Sequence, residues 1–188
     1  MFAWIWKLYW NLAGWKVVGL FPYHYKKMII IVGPHTSWMD VVVGFAARNQ
    51  LKIKQAKFLG KKELFEGLFG WFFRLLGGVP VDRNSKQGMV DQVADLFANH
   101  KRFLLAMAPE GTRKRVDKMK TGFYHIAKRS KVPILPIGFD FEKKQVIVGA
   151  ILIPGDDEEK DFKKFIAFFS GIKGKNQALD MQHLKEAE

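Results

Sequence analysis

From Lys27 to Val32 the chain reads Lys-Met-Ile-Ile-Ile-Val and then closes on Gly33-Pro34. A short apolar run of this kind, bounded by turn residues, predicts a strand buried on both faces. Similar blocks predict strands at Gln55–Leu59, Val79–Val81, Phe103–Met107, Ile134–Gly138 and Val146–Ile153. Between them the period changes. Ser37–Asn49, Lys61–Leu76 (interrupted by glycines), Ser85–His100 and Gly122–Arg129 are expected to be helices; in the third, Met89, Val93, Leu96 and Phe97 recur at helical spacing. Strands alternating with helices imply an α/β fold in a single domain, with a mostly parallel central sheet flanked by helices. The expected divisions are an N-terminal interfacial element over 1–26, the α/β domain over 27–175 and a polar tail over 176–188.

Two aromatic blocks stand apart from this alternation. The first, "MFAWIWKLYWNLAGW", holds four of the six Trp. On a helical wheel Phe2, Ile5, Leu8, Tyr9 and Leu12 make a broad apolar face, and Lys7 and Asn11 a narrow polar stripe. The block is too short and too polar for a membrane span, and it lacks the basic start and cleavage site of a signal peptide. Trp and Tyr favour the membrane–water boundary. An amphipathic, membrane-docking helix is therefore expected here, with a buried N-terminal helix as the alternative. The second block, "LFEGLFGWFFRLLGG" over 64–78, is apolar nearly all round and reads as either core or lipid-facing.

Charge narrows the function classes. Lys and Arg number 31 against 18 Asp and Glu, a net charge of +13. So basic a chain seeks polyanions such as anionic lipid headgroups, phosphorylated substrates or nucleic acid. With 0 Cys there are no disulfides, thiolate metal sites or cysteine nucleophiles. A serine elbow, a Walker loop, a dinucleotide fingerprint and a zincin helix are all missing from the sequence. His24, His100, His125 and His183 show no ligand spacing and read as structural or surface residues. No nucleic-acid-binding motif accompanies the charge, so nucleic acid is not an expected partner.

Three chemically loaded stretches follow predicted strands, and ligand sites in such sheets lie outside the carboxyl ends of the strands. In "GPHTSWMD", Ser37 and Asp40 match a helix-capping box, which accounts for Asp40 without catalysis but not for His35. Five residues span about 140° on a straight helix, so His35 and Asp40 meet only if His35 stands outside the helix and Asp40 in its first turn. An Asp accepting the proton of one ring nitrogen makes the other a general base. In "PEGTR", residues 109–113, a tight turn offers backbone N–H groups to an anion, and Arg113 offers a fork. In "GGVPVDRNS", Arg83 follows a strand and has Asp82 as a candidate partner. In "GKKEL", Lys61 and Lys62 run against the macrodipole at a helix start, a conflict that a bound phosphate would relieve.

In this order, His35-x4-Asp40, Gly78 to Arg83, Pro109-Glu110-Gly111-Thr112-Arg113 and Val132-Pro133-Ile134-Leu135-Pro136 resemble the four sequence blocks of the glycerolipid acyltransferases, which include the bacterial 1-acyl-glycerol-3-phosphate acyltransferases. "GKKEL" resembles a lysine element between the first two blocks. Pro34 stands where many members have Asn, and Ala108 where many have Phe. The resemblance implies that His35 is the general base and Asp40 its orienter. It implies that Lys61, Arg83 and Arg113 bind the acceptor's phosphate, and that Glu110, Gly111 and Thr112 shape the acceptor pocket. The Val132–Pro136 block would support the acyl site. The activity implied is transfer of a fatty acyl group from an acyl thioester, acyl-CoA or acyl carrier protein, to a hydroxyl of a lysophospholipid, with no metal or bound cofactor. The protein would be peripheral or monotopic, on the cytoplasmic face of the inner membrane, with the membrane lipid surface as its partner. The alternatives are an acyltransferase on a non-phosphate lipid hydroxyl, or a basic non-catalytic membrane- or nucleic-acid-binding protein.

Overall fold

The computed structural model describes residues 3–82, 85, 87–112 and 115–185. The elements run α1 (Ala3–Ala13), β1 (Lys16–Val18), β2 (Lys27–Gly33), α2 (Met39–Gln50), β3 (Lys57–Lys61), α3 (Glu63–Glu66), α4 (Gly70–Leu75), β4 (Gly78–Val81), α5 (Met89–Asn99), β5 (Phe103–Met107), α6 (Gly122–Ser130), β6 (Ile134–Asp140), β7 (Gln145–Val148) and α7 (Glu158–Phe169). The seven strands form one sheet in the order β1-β7-β6-β2-β5-β3-β4. Every pairing is parallel except β6 with β7.

The continuous apolar run of β2 has the composition a central strand needs. Successive side chains point to opposite faces, and here both faces are covered. Ile29 and Ile31 enter a core with Phe97 of α5, Phe123 and Ile126 of α6, and Phe165 and Phe169 of α7. Met28 and Ile30 enter a second core with Trp10 of α1 and Val43, Ala46 and Ala47 of α2. The sheet is therefore the middle layer of three, with α1 and α2 on one side and α5, α6 and α7 on the other.

Several boundaries differ from the sequence-based expectation. The expected division at residue 26 cuts through the sheet, because Lys16–Val18 pairs with β7 as an edge strand. The long helix expected over Lys61–Leu76 is two short ones, separated at Gly67, and Lys61 closes β3 instead. The strand expected over Val146–Ile153 ends at Val148, with only a bridge from Leu152 to Ile134 beyond it. Within the stretch expected as a polar tail, Asp180, Met181 and Leu184 are buried, the last two in the core beside α7. α7 was not expected, although its signals are local. The Asp157 side chain accepts the Lys160 N–H, acidic residues fill the first turn, and Phe162, Phe165 and Phe169 follow at helical spacing.

α1 divides its apolar residues between two sides. Trp10 is buried, and Trp6 stacks on Phe45 of α2 at a centroid distance of 5.7 Å. Trp4, Ile5, Leu8 and Leu12 are exposed. One face of the helix is thus packed in the core, and the other is apolar and exposed. Among the described residues no helix is long and apolar enough to cross a membrane.

Candidate active site

Because β2, β5, β3 and β4 are parallel neighbours, the loops after them emerge side by side at the sheet's carboxyl edge. The loop after β2 carries His35. Asp40 lies in the first turn of α2 and is buried. His35 Nδ1 is 3.2 Å from Asp40 Oδ2, and the same oxygen accepts the Ser37 N–H at 2.7 Å. The expected capping box is half made. Asp40 returns to the Ser37 backbone, while Ser37 Oγ accepts from Met39 N–H at 3.2 Å. A carboxylate only accepts, so Nδ1 carries the proton and Nε2 is the nitrogen able to take one. One Asp40 oxygen therefore meets both the backbone at the helix start and the His35 ring.

Glu110 holds His35 from the other side. The segment Ala108 to Gly111 forms a tight turn closed by Gly111 N–H to the Ala108 carbonyl at 3.1 Å, with Gly111 at φ +68, a conformation that favours glycine. The turn sends Glu110 inward, and it is 2 % exposed. Both carboxyl oxygens accept the His35 backbone N–H, at 3.0 and 2.8 Å. Burial pushes this carboxyl up to about 7, against the opposing pull of the His35 N–H. Glu110 thus braces the histidine's main chain, whereas the resemblance assigned it to the acceptor pocket.

A cavity of about 960 Å³ extends from this point between α2 and the sheet. His35, Asp40, Gly111, Thr112 and Lys120 line one part of it. Ile30, Val41, Phe45, Leu51, Phe58 and Leu76 are among its apolar walls. The lining includes residues from both ends of α2, a helix of about 18 Å at the usual rise. Ile137 and Phe139, just after the Val132–Pro136 block, also line it.

The remaining expected residues fare differently. Gly111 and Thr112 reach the cavity. Lys61 is exposed at the end of β3. Its neighbour Lys62 is compensated by Glu66 at 3.6 Å and Asp82 at 3.8 Å, so the lysine-at-helix-start conflict is relieved by carboxylates. Arg83 and Arg113 lie outside the described residues. His24, His100, His125 and His183 lie away from the cavity lining. Lys120 was not singled out from the sequence, and nothing in its spacing marks it. Nor was the segment after α7, which supports the loop that carries His35. Asn176 N–H donates to Thr36 Oγ1 at 3.1 Å, and a His183 ring nitrogen sits 2.7 Å from the Val116 carbonyl.

The carboxyl edge of the α/β sheet thus pairs a His with an Asp beside a cavity with mostly apolar walls. The family model described as acyltransferase matches residues 15–140, and the chain belongs to that family. The 1-acyl-sn-glycerol-3-phosphate acyltransferase of Streptococcus pneumoniae (strain ATCC BAA-255 / R6) is 36% identical over 138 residues, 68% of this chain and 50% of the relative. The Escherichia coli (strain K12) protein of the same name is 36% identical over 86 residues, 42% of this chain and 35% of its own length. The chain spans half the length or less of these curated relatives. The crystal structure of the 1-acyl-sn-glycerophosphate (LPA) acyltransferase PlsC from Thermotoga maritima superposes with a TM-score of 0.54 at 20% identity, covering 88% of this chain and 74% of that one. At that identity the likeness is one of fold.

The double duty of Asp40 makes a prediction. Asp40→Asn should lower kcat by tens-fold or more, since the amide no longer fixes the His35 tautomer as a carboxylate does. It should also lower stability by on the order of 1 kcal/mol through the weakened cap. Steady-state kinetics and thermal melts separate the two, and unchanged kcat would remove Asp40 from the mechanism.

Proposed function

We propose that this protein transfers a fatty acyl group from an acyl thioester, acyl-CoA or acyl carrier protein, to the free hydroxyl of a 1-acyl-glycerol-3-phosphate. The observation that carries the reading is the His35–Asp40 pair at 3.2 Å on the wall of a cavity of about 960 Å³ with mostly apolar walls. His35 Nε2 takes the proton of the acceptor hydroxyl as its oxygen attacks the thioester carbonyl carbon. The tetrahedral intermediate collapses, the carbon–sulfur bond breaks, and the imidazolium gives its proton to the leaving sulfur, which departs as the thiol. Asp40 stabilises that imidazolium and keeps its orientation. An acyl chain lies in the cavity against Val41, Phe45 and Phe58.

The acceptor's phosphate lies at the carboxyl edge among cations. Lys61 and Lys120 stand there, and Arg83 and Arg113 follow β4 and β5 in the sequence. The similarity to the 1-acyl-sn-glycerol-3-phosphate acyltransferases supports the same acceptor. The experiment is acyl transfer over a panel of lyso-acceptors, reading ester formation together with thiol release. One thiol released per ester formed, with 1-acyl-glycerol-3-phosphate preferred, supports the reading; no ester with any lyso-acceptor overturns it.

The exposed face of α1 supports docking of the N-terminus on a lipid surface. Removing residues 1–14 should lower the fraction sedimenting with anionic liposomes by several-fold or more. Equal sedimentation of the truncated and full-length proteins would place the main docking surface elsewhere.

A further inference from the structure

α3 and α4 form an apolar excursion that the fold leaves uncovered. Between Lys61 and Leu75 only Phe65 and Gly70 are buried. Phe65 anchors the excursion by packing over two strands: a Cβ at Gly60 or at Gly78 would stand 2.7 Å from its ring. The Arg74 guanidinium donates to the Phe65 carbonyl at 2.9 Å, and Arg48 of α2 donates to the Leu76 carbonyl. Both ends are thus held on the α2 side of the sheet, the side on which α1 also lies. The outward residues are large and apolar. Leu68 is 86% exposed, Phe69 66% and Trp71 65%, with Leu64 and Leu75 beside them.

We propose that this outer face of α3 and α4 inserts into the headgroup–acyl boundary of an anionic phospholipid leaflet, as a docking element separate from α1. Three observations favour a leaflet over a second protein. First, cations flank the apolar residues: Lys61, Lys62 and Arg74 are exposed within the excursion, and Lys57 lies beside Gly77 just past the end of α4. Lys62 is paired with Glu66 and Asp82, so Lys61, Arg74 and Lys57 stand against Glu63, and the whole chain carries +13. Trp and Phe in the interface with Lys and Arg at its border is the pattern of monotopic helices. Second, α4 has two apolar sides. Phe73, with Leu76 just past its end, lines the cavity, while Trp71 and Leu75, with Leu68 and Phe69 just before it, are exposed, so this segment lies between part of the cavity and the exterior. Third, a leaflet on that wall sets the cavity against the phase in which its lipid substrates dissolve. This third point rests on the acyltransferase reading; the first two do not.

The test uses the absence of native cysteine. The full-length Leu68→Cys protein, labelled with an environment-sensitive fluorophore, is mixed with vesicles of phosphatidylethanolamine and phosphatidylglycerol, some containing a spin-labelled quencher in the acyl region. The emission should shift to the blue and be quenched, more weakly with neutral phosphatidylcholine. The variant carrying Leu68→Ser, Phe69→Ser and Trp71→Ser, with α1 intact, should bind vesicles about tenfold or more weakly while keeping its activity on detergent-dispersed acceptor. An unshifted label on vesicle-bound protein overturns the proposal, as does wild-type affinity in the triple variant. A shift that appears without vesicles and grows with protein concentration shows that a second copy covers this face, and overturns it too. A shifted, quenched label on a protein that acylates no lyso-acceptor supports the docking element and removes the acyltransferase reading alone.

Discussion

Replacing His35 with Ala should lower kcat for acyl transfer by roughly 10²–10⁴-fold, the usual worth of a positioned general base, without loss of cooperative unfolding. The expectation follows from the division of labour around this residue. Its ring meets Asp40 and lines the cavity, while its backbone N–H is held by Glu110. The second contact survives the substitution, so the loop keeps its brace. The Ser37 N–H also keeps its bond to Asp40. Circular dichroism and melting of the variant beside its kinetics make the comparison clean. A folded His35→Ala protein with more than about a hundredth of wild-type kcat would show that another group takes the proton.

Glu110 should have the second largest effect, through position. Glu110→Ala removes the carboxyl that accepts the His35 N–H, and a displacement of the ring by about 1 Å is enough to cost on the order of 10²-fold in rate. Glu110→Gln keeps an oxygen at that place and should recover most of the loss. Failure of Gln to rescue would mean that the carboxyl's charge matters in itself. The same residue sets a pH dependence of stability. The folded chain holds this carboxyl protonated up to about pH 7, against an ordinary value of 4.5. The folded state therefore binds an extra proton between those values. The resulting stabilisation is full below the ordinary value and is lost as pH rises through about 7. Glu110→Gln should flatten this decline by up to roughly 3 kcal/mol, as read from denaturant midpoints across that range.

What the sequence discloses here depends on how local the signal is. β2 and β5 announce themselves as apolar runs, and the β2 run is buried on both faces as such a run implies. His35 and Asp40 are five positions apart, and the capping pattern at Ser37 places one outside the helix and the other within its first turn, so their contact is legible from spacing. The role of Glu110 is not. Its partner is 75 residues away in sequence, and only the adjacency of β2 and β5 in the sheet brings the two loops together. The support given by Asn176 to Thr36 is hidden for the same reason, across 140 residues. β1 is three residues long and owes its existence to the β7 edge. α7 is a different case, since its cap, acidic first turn and phenylalanine spacing are all local and readable. The second aromatic block could not be assigned from composition because it is neither wholly core nor wholly surface. Phe65 is anchored over two glycines, Phe73 and Leu76 line the cavity, and Leu64, Leu68, Phe69, Trp71 and Leu75 are exposed.

The measurement that bears most directly on the account is kcat/KM for acyl transfer to 1-acyl-glycerol-3-phosphate and to the same lipid without its phosphate, with one thioester donor and one vesicle composition. Charge-assisted hydrogen bonds to a phosphate contribute roughly 1.5–3 kcal/mol each. The account therefore predicts that the phosphorylated acceptor is preferred by tens-fold or more, with the preference narrowing in Arg113→Ala. Equal use of the two acceptors by the wild-type protein would contradict it, and would assign the cations at the carboxyl edge to the membrane surface instead of to the substrate.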